Sequence, residues 1–187
     1  MTIKDLFFTS RVFTISNILS LARIFLVIPV GYLIFYDVDG NYKYWALFVG
    51  LVMVLTDYLD GFFARILGQE TPLGQYLDPI ADKISIIFTL LILHLKKDYP
   101  LWIVIIIILR ELTGTVFGTL LLTRRNIMGT PNYAGKAMVF AIALSGVWYL
   151  MDWPYKEWTI ALVISFLFAS VVGYFLRYGR IMFSRKS

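Results

Sequence analysis

The sequence predicts an all-α integral membrane protein: six transmembrane helices with a short N-terminal interfacial helix. Three observations carry that fold class. Of 187 residues, 59% are hydrophobic and only 16% charged, with a mean hydropathy of +0.77, whereas a soluble domain carries about a quarter charged residues. The apolar residues gather in six runs, each close to the ~20 residues that cross about 30 Å of hydrocarbon as a helix. Clusters of turn-forming residues separate the runs.

The elements follow in order. Residues 3–8, a mixed apolar and charged stretch, suit a helix lying along the interface. The apolar stretch after Arg11 is too long for a cleavable signal and lacks a small-residue cleavage site. The six spans fall at about 18–36, 42–67, 75–95, 101–122, 134–150 and 158–175. Between them lie Asp37-Val-Asp-Gly-Asn41, Gly68-Gln-Glu-Thr-Pro72, Lys96-Lys-Asp-Tyr-Pro100, residues 126–132, and Asp152-Trp-Pro154. Trp45, Trp102, Trp153 and Trp158 stand near span ends, where amphipathic rings favour the interface. The whole of 1–187 reads as a single membrane domain: a juxtamembrane segment (1–15), a six-helix bundle (16–178) and a basic cytoplasmic tail (179–187).

The net charge is +5, but the basic residues stand between and beside apolar runs. That argues for a membrane and against nucleic acid as the partner. With an even number of spans, both termini share one side with the loops after spans two and four. Twelve Lys/Arg fall there (Lys4, Arg11, Arg23, Arg65, Lys83, Arg124, Arg125, Lys136, Arg177, Arg180, Arg185, Lys186) against Lys43, Lys96, Lys97 and Lys156 opposite. The bias assigns the first side, with both termini, to the cytoplasm. The chain has no cysteine, which excludes disulfides, thiolate nucleophiles and thiolate zinc sites.

Four acids interrupt this apolar pattern: Asp57, Asp60, Asp78 and Asp82. A carboxylate in a span costs roughly 2.5–3.5 kcal/mol near the helix centre. Four bare anions together would be prohibitive, so positive charge must sit among them, and a divalent metal is the simplest source. At 100° per residue, Asp60, Gly61 and Ala64 all fall within about 60° of Asp57, so span two presents two acids and two small residues on one face. On span three, Asp78 and Asp82 are one turn apart and stack likewise. Pro79 is tolerated in a first turn and otherwise kinks the helix. Four carboxylates of this kind can hold one or two Mg²⁺-class ions and leave positions for phosphate oxygens. Gly61, Ala64 and Gly74 allow close approach of a bulky ligand, and Arg65 offers a bidentate donor to phosphate. Any one of these residues alone reads as helix packing or an interfacial acid; all eight at these intervals do not.

The run Asp57-x-x-Asp60-Gly61-x-x-Ala64-Arg65, then eight residues, then Gly74-x-x-x-Asp78-x-x-x-Asp82 resembles the signature of the CDP-alcohol phosphotransferases, membrane enzymes of phospholipid synthesis. Every signature position is met, and the six-span plan extends the resemblance over nearly the whole chain. The resemblance implies transfer of a phosphatidyl group from CDP-diacylglycerol to an alcohol, with release of CMP. It implies two Mg²⁺ or Mn²⁺ ions held by Asp57, Asp60, Asp78 and Asp82, with Asp82 also the general base. It implies the CDP end against Gly61, Ala64 and Gly74 with Arg65 near its phosphates, and a homodimer.

Arg110-Glu111 in span four and Gly135-Lys136 opening span five resemble pairs in phosphatidylglycerophosphate synthases, where basic groups engage the acceptor phosphate. Arg110 and Glu111 can equally neutralise one another within the span. Arg124 and Arg125 read either as part of an anionic pocket or as anchors for lipid head groups. Those synthases often continue Gly-Lys with a basic residue and a threonine, whereas Ala137-Met138 follow here. The basic residues make a phosphorylated acceptor the expectation, glycerol 3-phosphate first, although the Ala137-Met138 departure weighs against that particular acceptor; inositol phosphate, phosphatidylglycerol and serine are the rivals. Outside this class the rival is a divalent-cation transporter, since span acids also mark ion paths; Arg65 beside the acids argues against it. Asn17 and Arg23 sit where relatives carry a polar pair opening span one, with Arg23 either facing a polar cavity or snorkelling. His94, far from the acids, reads as an interfacial residue.

Overall fold

A computed structural model describes residues 15–66, 72–125 and 133–183, with side chains described within these for 18–59, 62, 66, 80–114 and 135–173. The expected interfacial helix lies outside the described residues. Six helices follow one another: α1 (Ile15–Phe35), α2 (Tyr42–Ile66), α3 (Pro72–Lys97), α4 (Leu101–Arg125), α5 (Tyr133–Leu150) and α6 (Lys156–Phe183). Each contains one of the apolar runs. No strand occurs among the described residues.

The ends have local causes. Asp37 accepts from the N–H groups of Tyr42 (3.0 Å) and Lys43 (3.3 Å), satisfying donors that the first turn of α2 leaves open. Asp98 closes α3 in the left-handed region at φ 57°. α3 begins at Pro72, so Pro79 falls in its interior and not in the first turn. α6 continues to Phe183, through Arg177, Gly179 and Arg180 and beyond the apolar run that ends near residue 175.

The described chain forms two compact units, meeting in sequence between Val104 and Ile105. In the first, α1 packs against both α2 and α3. Its inward stripe is Ser20, Arg23, Val27, Val30 and Ile34, all buried, at alternating three- and four-residue steps. Ala46 and Met53 of α2 and Ala81, Leu90 and Leu93 of α3 complete the core. α1 and α3 approach closely at Gly31: a Cβ there would stand 2.5 Å from Ile92 Cδ1 and 3.1 Å from Phe88 Cε1. In the second unit α5 packs on α6. Met138, Ala141, Ile142, Tyr149, Ile160 and Val163 are buried there, with Ser145 and Ser170.

The outward faces are apolar. Phe25, Ile28, Phe48, Leu51, Phe140 and Phe168 are among the most exposed large side chains. Soluble monomers rarely expose apolar area on this scale, and hydrocarbon is the environment that such a surface fits. Among the described residues, Ile18–Phe35 and Lys156–Gly173 are each long and apolar enough to cross a membrane by themselves.

Candidate active site

The register of α1 delivers a guanidinium to the interior. Arg23 is 3% exposed and occupies the same stripe as Val27 and Val30. Its Nη1 forms an ion pair with Asp57 Oδ1 of α2 at 2.9 Å and donates a hydrogen bond to Asp82 Oδ1 of α3. One cation thus joins three helices. Asp57 follows Met53 by one turn on the inward side of α2, and Asp82 sits between the buried Ala81 and Ser85 of α3. The carboxylates themselves stay half open, with side chains 51% and 42% exposed. Arg23 therefore turns inward to the acids and does not snorkel.

This arrangement fits a divalent cation. Two hard carboxylate oxygens from separate helices already converge on one positively charged atom, while their open sides remain accessible. No group of three or more His, Cys, Asp or Glu side chains able to hold a metal occurs among the described residues. Asp60 lies in α2 and Asp78 in α3, but their side chains are outside the described residues. So are the side chains of Gly61, Ala64, Arg65, Gly74, Arg124 and Arg125.

A second polar cluster lies in the second unit. Arg110 of α4 pairs with Glu111 and donates from Nη2 to Ser170 Oγ of α6 at 2.8 Å. Both charged side chains are largely buried, at 15% and 21% exposure. The mutual neutralisation considered for Arg110 and Glu111 is therefore present, and a buried hydroxyl is added to it. Lys136 is exposed in the first turn of α5. His94 donates from Nδ1 to the Tyr99 carbonyl at 2.8 Å, an assignment to helix-end structure and not to the acids.

Sequence reasoning left the role of Arg23 open and gave Ser170 none. The signal for Arg23 was its register with Val27, Val30 and Ile34. Ser170 carried no chemical signal: a lone serine in an apolar helix is usually packing.

An apolar-faced helical protein with carboxylates gathered around a buried arginine belongs among membrane proteins with a polar, charge-compensated site. More narrowly, the chain belongs to the CDP-alcohol phosphatidyltransferase family, whose model matches residues 13–172. Among its relatives is a cardiolipin synthase (CMP-forming) of Streptomyces coelicolor, 39% identical over 136 residues, covering 71% of this chain and 62% of the relative. A probable phosphatidylglycerophosphate synthase of Mycobacterium tuberculosis is 34% identical over 141 residues, covering 73% and 65%. A CDP-diacylglycerol–glycerol-3-phosphate 3-phosphatidyltransferase of Aquifex aeolicus is 34% identical over 134 residues, covering 70% and 72%. The chain thus spans somewhat less than two thirds of the length of the first two relatives. The family is membrane-associated, generally depends on divalent metal, and uses CDP-diacylglycerol with an alcohol acceptor.

Proposed function

We propose that this protein transfers the phosphatidyl group of CDP-diacylglycerol to glycerol 3-phosphate, giving phosphatidylglycerol phosphate and CMP. The observation that carries the reading is the convergence of Asp57 and Asp82, two acids of the family signature, on one buried cationic atom between three helices.

Asp57, Asp60, Asp78 and Asp82 would hold Mg²⁺ or Mn²⁺, two ions in this reading, which when bound would supply neutralising charge for the phosphoryl oxygens and the departing CMP. Gly61, Ala64 and Gly74 leave room for the CDP end, and Arg65 donates to its phosphates. Asp82 takes the proton of the acceptor hydroxyl. The acceptor oxygen bonds to the phosphorus that carries diacylglycerol, and the bond from that phosphorus to the CMP oxygen breaks, so no covalent protein intermediate is needed. Arg110, Lys136, Arg124 and Arg125 receive the acceptor phosphate. The six helices all cross the membrane, both termini and the site face the cytoplasm, and the protein works as a homodimer.

A second acceptor, phosphatidylglycerol, is favoured by the relative named cardiolipin synthase. Purified protein supplied with Mg²⁺, CDP-diacylglycerol and a panel of acceptors separates the readings. CMP release with a product of phosphatidylglycerol phosphate mass is expected. A cardiolipin mass would instead assign the second acceptor, and metal flux in liposomes without CMP release would assign a transporter.

A further inference from the structure

We propose that Arg23 is a built-in counter-ion of the metal site: it compensates Asp57 and Asp82 while the site is empty and competes with the divalent cation for them. The inference rests on the metal-dependent reading above and concerns a residue outside the aspartate signature.

The geometry is specific. Nη1 of Arg23 reaches an oxygen of Asp57 and an oxygen of Asp82, on two different helices. The arginine is 3% exposed, whereas the two carboxylates are about half exposed. The guanidinium therefore approaches from the protein side, and a cation from solvent meets the same carboxylates from the open side. Without a counter-charge, acids packed among apolar helices repel one another and lose hydration with no compensation. Arg23 supplies that compensation at a fixed +1, because a guanidinium keeps its proton.

The same contact opposes metal loading. Two cations drawn to one set of carboxylates weaken each other's hold, and the coupling is reciprocal. Arg23 thus lowers the apparent metal affinity while it stabilises the empty protein.

The test is Mn²⁺ binding, followed by electron paramagnetic resonance or calorimetry, on wild-type protein and Arg23→Gln. The variant should bind Mn²⁺ about tenfold more tightly, within the ~5–150-fold span usual for coupled sites. It should unfold at lower temperature without metal and gain more from added Mn²⁺ than wild type does. Equal or weaker binding by Arg23→Gln, with wild type binding normally, overturns the counter-ion role and leaves the metal reading standing. Absence of Mn²⁺ binding in wild type overturns the metal reading and this inference with it. Should Arg23→Gln fail to fold, ¹⁵N-arginine spectra of wild type decide. The Arg23 side-chain signal, identified by its loss in Arg23→Lys, should shift and exchange faster at saturating Mg²⁺, and an unchanged signal overturns the proposal.

Discussion

Arg110 of α4 and Ser170 of α6 meet at 2.8 Å in the second unit, the guanidinium donating to a hydroxyl that is fully buried. With Glu111 on its other side, Arg110 is held in one orientation by two partners. If Arg110 receives the acceptor phosphate, Ser170 is the residue that positions it. Ser170→Ala removes a hydrogen bond to a charged group, a loss of about 1.5 kcal/mol. The KM for glycerol 3-phosphate should rise about tenfold with kcat little changed. Steady-state kinetics on both substrates check this: a fall in kcat alone, or an equal rise in the KM for CDP-diacylglycerol, would place Ser170 elsewhere.

Asp57→Asn and Asp78→Asn address the carboxylates directly. Each removes a full negative charge from the proposed ion cage, and Asp57→Asn also removes one of the two acids that Arg23 reaches. Turnover should drop at least about a hundredfold in each, and Mn²⁺ affinity should weaken, since metal-held charge stabilisation is the main catalytic term in such transfers. CMP release and Mn²⁺ titration on the same preparations measure the two effects. Near-normal turnover in either variant contradicts the two-ion assignment.

Helix positions were legible because lipid demands long apolar runs, and the runs at 18–36, 42–67 and 134–150 predict α1, α2 and α5 almost residue for residue. The end of α6 was not, since a helix leaving hydrocarbon has no composition limit and Arg177 and Arg180 simply continue it. Turn spacing put Asp57 with Asp60 and Asp78 with Asp82 on one face of each helix, and Asp57 and Asp82 both reach Arg23. What the motif did not contain was the cation between them. Arg23 lies far off in sequence, and only the three-and-four-residue stripe from Ser20 to Ile34 marks it as inward. Ser170 was illegible because a hydroxyl's role depends on what stands opposite, and that is tertiary information.

At Gly31 α1 and α3 lie close together, and the space there is small. A single methyl would press on Ile92 Cδ1, the tip of a flexible side chain that can move. Gly31→Ala should therefore be nearly neutral in thermal unfolding in detergent. Gly31→Leu must also displace Phe88, and overpacking of this kind costs about 1–3 kcal/mol. Its midpoint should fall by several degrees, at ~2–4 °C per kcal/mol for a chain of this size. A Leu variant as stable as wild type would mean that the α1–α3 contact yields more easily than its geometry implies.

At the end of α3, Lys97 lies 3.3 Å from Asp37 Oδ2, while Asp37 Oδ1 caps α2. The Asp37 side chain is only 1% exposed and that of Lys97 13%. A single carboxylate thus ties the exit of α1, the start of α2 and the end of α3. Asp37→Ala loses the cap, worth about 1 kcal/mol, and deprives Lys97 of this partner. Breaking a fully buried pair costs about 3–5 kcal/mol, but lysine's flexible stem lets its ammonium reach the interface and recover hydration. The net loss should be about 2 kcal/mol, a fall of roughly 4–8 °C in the unfolding midpoint. Asp37→Asn with Lys97→Met should cost less than Asp37→Ala, because the asparagine keeps a capping oxygen and no charge is left behind. An Asp37→Ala midpoint matching wild type would show that these helix ends hold together without the pair.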